Sequence, residues 1–204
     1  MSPSPRDLAQ TIANRLPTPA RAQRLLVAIA GPPASGKSTV SEALVDHLGP
    51  EAILVPMDGF HLDNRVLERR GLLPRKGAPE TFDAAGFCHA IGRLKTEPSV
   101  ILPSFDRSRD LSVAGAIEVE PQHRIAVVEG NYLLFDADPW RALTDLWDFS
   151  VWTAPDEAVL RTRLITRWRD HGLAPDAAEA RAEANDLPNA RRTLASRLPA
   201  DLVV

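Results

Sequence analysis

Five short apolar runs punctuate the chain, at residues 25–30, 52–55, 100–102, 125–128 and 149–152, with longer and often helix-patterned stretches between them. Runs of this length, rich in Val, Ile and Leu, predict buried strands, and their alternation with helices predicts a parallel α/β sheet. Ahead of the first run, Leu8, Ile12 and Leu16 recur at helical spacing beside Ala9 and Ala13 until Pro17 and Pro19, which predicts an amphipathic helix over 5–16 packed on the domain. Residues 116–119 alternate apolar and polar between Gly115 and Pro121, the pattern of a small exposed strand or hairpin arm.

Toward the end the pattern changes. Leu160, Leu164 and Trp168 share one face of a helix predicted over 156–171 and closed by Gly172. Residues 176–184 are rich in alanine and charge but thin in large apolar side chains, and Pro188 is expected to interrupt them. This stretch is expected to move without disturbing the core, and residues 201–204 are expected to form a closing strand.

Composition narrows the class. At 204 residues, 44% hydrophobic, the chain is long enough for one full core, and a single domain over 1–204 is expected. Acidic residues number 27 against 24 basic, and no block of like charges stands out, so neither a nucleic-acid nor a membrane partner is expected. No apolar run approaches the roughly 20 residues of a spanning helix. The lone Cys88 and the absence of a secretory pattern at the start predict a cytoplasmic location. The five histidines lack zinc-like spacing, and no structural metal or redox chemistry is expected.

The sharpest chemical signal follows the first strand. Gly31, Pro32, Pro33, Ala34, Ser35, Gly36, Lys37 and Ser38 satisfy the spacing G-x-x-x-x-G-K-[ST], directly before the helical spacing of Val40, Leu44 and Leu48. Backbone N–H groups of such a loop surround a polyphosphate, the lysine brings a point charge to its outer end, and the hydroxyl of Ser38 is placed for Mg²⁺. Thr39 extends the nucleotide-binding candidates by one residue. This loop predicts nucleotide binding but does not separate a kinase from a switch or a motor.

Asp58, at the C-terminal end of the second predicted strand, lies at the edge where open parallel sheets bind ligands. A carboxylate there can accept the proton of an attacking hydroxyl; the alternative is an ordinary Asx-turn residue. Glu129, at the end of the fourth strand, is the candidate second metal-site residue beside Ser38, or else a solvated strand end. Arg163 and Arg167, four residues apart, share a helix face and are candidates to close over transferring phosphate. Phe105, Asp106 and Arg107 follow the third strand on the same predicted edge and offer an aromatic wall with polar groups, or a plain charged loop.

Several segments carry a likeness beyond these patterns: Asp58-Gly59-Phe60-His61-Leu62-Asp63-Asn64, Leu67-Glu68-Arg69-Arg70-Gly71-Leu72, and Arg75-Lys76-Gly77-Ala78-Pro79-Glu80-Thr81-Phe82-Asp83. Together with the phosphate-binding loop they resemble the family of P-loop kinases that includes pantothenate kinase, uridine kinase and phosphoribulokinase, across nearly the whole chain. The resemblance implies a P-loop NTPase three-layer sandwich, with a mainly parallel sheet flanked by helices and a mobile lid at about 160–190. It implies ATP and Mg²⁺, Asp58 as catalytic base with Lys37, Arg163 and Arg167 stabilising charge, and Glu129 near the metal.

On the acceptor side the candidates are His61, Lys76, Phe105, Asp106, Arg107 and Tyr132, the last either lining the pocket or packing beneath it, and the resemblance places Asn189, in Asn185-Asp186-Leu187-Pro188-Asn189, near the nucleotide. Uridine kinases carry an aspartate where this chain has Gly77, and pantothenate kinases are considerably longer. The chain is most similar to a short branch whose members are provisionally labelled fructose transport system kinases or nucleoside/nucleotide kinase-like proteins. The expected activity is transfer of phosphate from ATP to a hydroxyl of a small metabolite: a sugar such as fructose, or a pantothenate- or nucleoside-like alcohol. An NTP-hydrolysing regulatory or transport-accessory protein is the competing reading. Oligomeric state is left open, a homodimer included.

Overall fold

A computed structural model describes residues 3–18, 23–153 and 155–204. In chain order its elements are α1 (Pro5–Ala13), β1 (Leu25–Ala30), α2 (Lys37–Leu48), β2 (Ala52–Pro56), α3 (Asn64–Arg69), α4 (Ala84–Thr96), β3 (Val100–Asp106), β4 (Leu111–Val119), β5 (Ile125–Gly130), β6 (Phe149–Trp152), α5 (Glu157–Asp170), α6 (Pro175–Arg181), α7 (Leu187–Ala195) and β7 (Leu202–Val203). The main sheet has the order β2-β5-β1-β6-β7, all parallel. β1 lies at its centre and every residue of it is buried.

Side chains alternate across a strand, so β1 feeds two cores. Leu26, Ala28 and Ala30 join Phe87, Ile91 and Leu94 of α4 with Tyr132 and Trp140 on one face. Leu25, Val27 and Ile29 join Ile12 of α1 and Val40 and Leu44 of α2 on the other. Burying each large aliphatic side chain contributes about 1.5–3 kcal/mol, and the result is a sheet between two helical layers. The parallel α/β sheet expected from the patterning forms, flanked by helices as the resemblance implies.

Local chemistry explains the helix ends. Ser4 caps α1 by accepting from Asp7 N at 3.2 Å, while Asp7 returns a bond to Ser4 N at 3.0 Å, and Pro5 opens the first turn. The helix ends at Ala13, short of the expected 16, and Pro19 lies outside the described residues. Gly172, at φ +89°, closes α5 as its position predicted.

Two expectations are corrected. The run at 100–102 is not part of the parallel sheet: β3 extends to Asp106 and pairs antiparallel with β4, with a register shift between Leu102 and Ser104 around Pro103. Val100 and Leu102 are buried while Ile101 is 52% exposed, the half-buried alternation of a ribbon rather than of a central strand. The closing strand β7 takes the fifth place in the sheet. Pro188 does not break its segment, either. It stands in the first turn of α7, and one wide π turn, Ala182–Asp186, joins α6 to α7.

The region 160–190 is thus helical, and Leu164, Ala182 and Leu187 form a small core of their own, against which Ala34 of the loop after β1 packs. Among the described residues no helix is long and apolar enough to cross a membrane.

Candidate active site

The C-terminal ends of β1, β2 and β5 bring the site together, because Glu129 is in register with Ile29 on one side and Pro56 on the other. Residues 31–38 leave β1 and turn into α2. Glycine is required at position 31: a Cβ there would lie 2.0 Å from Thr153 Oγ1 and 2.7 Å from Ser35 Oγ. Ala34 at φ +63° and Gly36 at φ +95° curl the loop so that α2 begins without a side-chain cap, leaving its first N–H groups for an anion. Thr153 Oγ1 donates to Ser35 Oγ at 2.6 Å, and Arg163 Nη1 donates to Ala34 O at 3.2 Å and Ser35 O at 3.1 Å. The loop is thereby clamped from β6 and from α5. Pro32 and Pro33 are buried, and Thr39 is exposed in the first turn of α2.

Lys37 is half-buried among charges of both signs. Desolvation pushes its ammonium pKa down, and the carboxylates of Glu129 and Asp58 push it back up. Ser38 Oγ donates to Glu129 Oε2 at 3.2 Å. Glu129 is 5% exposed; burial raises its pKa, the Lys37 charge opposes that, and Asp58 adds to it. A hydroxyl and a carboxylate so placed are the hard oxygen donors that suit Mg²⁺, which binds through one or two protein oxygens and substrate phosphates.

Asp58 occupies the tight turn Met57–Phe60 that follows β2. Its carboxylate is not spent on that turn: Oδ2 accepts from Arg107 Nη2 at 2.6 Å. Directly beyond, His61 Nδ1 hydrogen-bonds to Asp58 O at 2.8 Å, and its ring sits between Phe82 and Phe105, at 4.0 and 4.7 Å between centroids. Burial holds the His61 pKa down. Lys76 Nζ lies 5.1 Å from the Phe105 ring centre and is held by Asn64 Oδ1 at 2.7 Å and Asp110 Oδ1 at 2.8 Å. Asp58, His61, Lys76, Phe105 and Arg107 therefore converge on one face, with Phe105 and Arg107 supplied by the β3–β4 hairpin.

Other candidates lie elsewhere. Tyr132 is fully buried among Phe82, Phe135 and Trp140 and donates to Gly77 O at 2.6 Å, so it packs under the acceptor loop and does not line a pocket. Asp106 spends its carboxylate on the hairpin turn, accepting from Ser108 N at 3.0 Å, Ser108 Oγ at 2.7 Å and Arg109 N at 3.1 Å. That is the charged-loop alternative. Asn189 is 3% exposed and its amide donates to Asn185 Oδ1 at 3.4 Å; Asn185 donates in turn to Lys76 O at 3.0 Å. This pair buttresses the acceptor loop rather than the nucleotide loop. Arg167 stacks on Trp168 and approaches Asp186 at 3.6 Å, yet its charge still reaches Lys37 and lowers that pKa.

Sequence reasoning missed Thr153, Asn64, Asp110 and Asn185. Thr153 carried a usable signal, a hydroxyl immediately after an apolar strand; the other three owe their places to tertiary contacts.

Comparison with known proteins adds to this geometry. No family model matches the chain. A solved structure from a Silicibacter species, provisionally named a fructose transport system kinase, is 55% identical with a TM-score of 0.91, and the match covers 100% of both chains. An uncharacterised Escherichia coli protein, YggC, is 37% identical over 89% of this chain and 78% of its own length. A Schizosaccharomyces pombe protein provisionally named a uridine kinase is 36% identical over 82% and 77%. Pantothenate kinase of Leifsonia xyli is 35% identical over 80% of this chain but 52% of its own, so the chain spans about half of that enzyme. Phosphoribulokinase from Rhodobacter spheroides shares the fold at 12% identity, with a TM-score of 0.58 over 83% of this chain and 67% of its own.

Proposed function

The chain belongs to the family of P-loop kinases that includes pantothenate kinase, uridine kinase and phosphoribulokinase, and from that premise we propose that it moves the γ-phosphate of ATP onto a hydroxyl of a small metabolite, with Asp58 as the base. ATP-dependent phosphotransfer follows from the family; the alcohol acceptor, the residue roles and Mg²⁺ are the proposal. One observation carries it. Asp58 follows the end of β2 and Glu129 ends β5, beside the edge where residues 31–38 leave β1, which supports an alcohol at Asp58 meeting a phosphate at Lys37.

In this reading the acceptor oxygen attacks the γ-phosphorus as the bond to the bridging oxygen breaks, ADP leaves with that electron pair, and the hydroxyl proton passes to Asp58. Lys37 and the loop N–H groups meet the charge on the phosphate oxygens, Arg163 holds the loop from the lid side, and Arg167 is positioned to follow. Ser38 and Glu129 would hold Mg²⁺, which would neutralise phosphate charge there. The face of His61, Phe105, Lys76 and Arg107 receives the acceptor. Its aromatic wall suits a sugar such as fructose, a nucleoside-like alcohol or a pantothenate-like alcohol.

The test is ADP release by the purified protein with ATP and a panel of sugars, nucleosides and pantothenate-like alcohols. One acceptor is expected to stimulate, and Asp58→Ala to lower the stimulated rate by about 10²–10⁴-fold. Equal ADP release with and without every acceptor sinks the kinase reading.

A further inference from the structure

The Asp58–Arg107 contact poses a chemical problem. The Asp58 carboxylate already gives Oδ2 to a charge-assisted bond at 2.6 Å, and a hydroxyl that approaches this oxygen has to compete with the guanidinium for it. Arg107 stands at the tip of the β3–β4 hairpin, and 64% of its side chain is exposed, against 21% for Asp58. The contact uses Nη2 alone, while a guanidinium presents five N–H donors in a planar fork. Its other N–H groups make no further hydrogen bond among the described residues, which leaves them for a second anion. Lys76, the other cation on this face, is differently held: 12% exposed and tied to Asn64 and Asp110.

Resting on the reading of Asp58 as base, we propose that Arg107 guards it: with ATP alone the guanidinium occupies the carboxylate, and an acceptor carrying a carboxylate or phosphate draws Arg107 onto that anion and frees Asp58 for the hydroxyl. The device solves a problem shared by kinases whose base is open to solvent. Water at Asp58 would attack the γ-phosphorus, the bond to the bridging oxygen would break, ADP would leave with the electron pair, and the water proton would pass to Asp58, yielding ADP and inorganic phosphate. A base masked until the acceptor's anion arrives suppresses that loss. The same contact makes Arg107 a positioning and specificity residue, and favours anionic alcohols over neutral sugars at this site. Planar bidentate recognition of carboxylate and phosphate is what arginine supplies and lysine does not.

The experiment measures ADP release from Mg-ATP without any acceptor for the wild type, Arg107→Met, Asp58→Asn and the double variant. Arg107 is at an exposed hairpin tip, so the folded state is expected to survive, which circular dichroism checks. Loss of an exposed ion pair of this kind is expected to raise acceptor-free hydrolysis about fivefold. The double variant is expected to fall back to the wild-type rate or below, because the gain runs through Asp58. Glycerate, glycerol 3-phosphate and glycerol, added separately to the wild type, form the second arm. At least one anion is expected to raise ADP release above glycerol, and Arg107→Met to lose that difference; a response to glycerate alone assigns the anion as carboxylate, and to glycerol 3-phosphate alone as phosphate. The proposal is overturned if Arg107→Met hydrolyses ATP no faster than the wild type, if the double variant keeps the raised rate, or if the three additives act alike. A wild-type rate in Asp58→Asn with a stimulating acceptor instead overturns the base assignment beneath it.

Discussion

Gly59→Ala tests whether the turn that carries Asp58 and the hairpin behind it form one rigid unit. A Cβ on Gly59 would lie 2.3 Å from Pro103 O, 2.7 Å from Pro103 C and 3.1 Å from Ser104 Cα. All three are backbone atoms, so no rotamer change relieves the overlap, and ordinary contact at 3.4 Å is restored only by moving turn and hairpin apart by about 1 Å. Overpacking of this kind costs about 1–3 kcal/mol, and the backbone character of the clash places it at the upper end. With a urea slope of about 2–3 kcal/mol/M, the unfolding midpoint is expected to fall by roughly 1 M. The functional effect is larger, since Asp58 and His61 ride on the turn while Phe105 and Arg107 ride on the hairpin. A misplacement of about 1 Å between reacting groups costs on the order of 10²-fold in turnover. ATP affinity is expected to persist, because residues 31–38 hang from β1 and α2. Urea titration, acceptor-stimulated ADP release and ATP titration read the three quantities separately. An unshifted midpoint with unchanged turnover, or an equal loss of ATP affinity, refutes the reasoning.

Further substitutions probe two basic side chains held away from solvent, Arg24 and His61. Arg24, 8% exposed, donates to the carbonyls of His123 at 2.8 Å, Leu94 at 2.8 Å, Glu97 at 3.3 Å, Pro98 at 2.9 Å and Glu120 at 3.2 Å, knitting α4 to the segment entering β5. Arg24→Met orphans these acceptors and is expected to cost about 3–5 kcal/mol by chemical denaturation, with a substantial loss persisting in Arg24→Lys, whose single head cannot span them. His61 is held below its ordinary pKa of 6.5 by burial, so the unfolded chain binds the proton more readily. Its neutral form supports full stability above pH 6.5, and that support is lost as pH falls through the lower folded value. His61→Gln is expected to flatten the dependence of stability on pH below 6.5; an unchanged slope counts against a buried neutral imidazole.

Strands of the parallel sheet were legible because both their faces are buried. Residues 25–30 and 125–128 read as continuous apolar runs. The run at 100–102 looked alike at three residues but carries one exposed position, Ile101, and is followed by Pro103. Three residues are too few to separate a continuous run from an alternation, so the hairpin was taken for a sheet strand. Pro188 misled for a different reason. Proline stops a helix only where its missing N–H was needed, and the π turn before it removes that need.

The two halves of the site differ in legibility for a physical reason. Phosphate binding is done mostly by backbone N–H groups of one loop, and a loop conformation is encoded locally, so residues 31–38 announce it in eight consecutive positions. In the proposed reading the acceptor is met by side chains from the turn at 57–61, the loop at 73–81 and a hairpin tip beyond 100, and each of these segments depends on tertiary pairing for its place. Asp106 and Arg107 are adjacent in sequence and equally polar; only the pairing of β3 with β4 decides that the first closes a turn while the second reaches Asp58. The same division fits relatives that share the name of kinase and differ in the compound that name carries. A local loop can be kept while three converging segments are changed one side chain at a time, and in this chain the side chain that faces the base from the hairpin is Arg107.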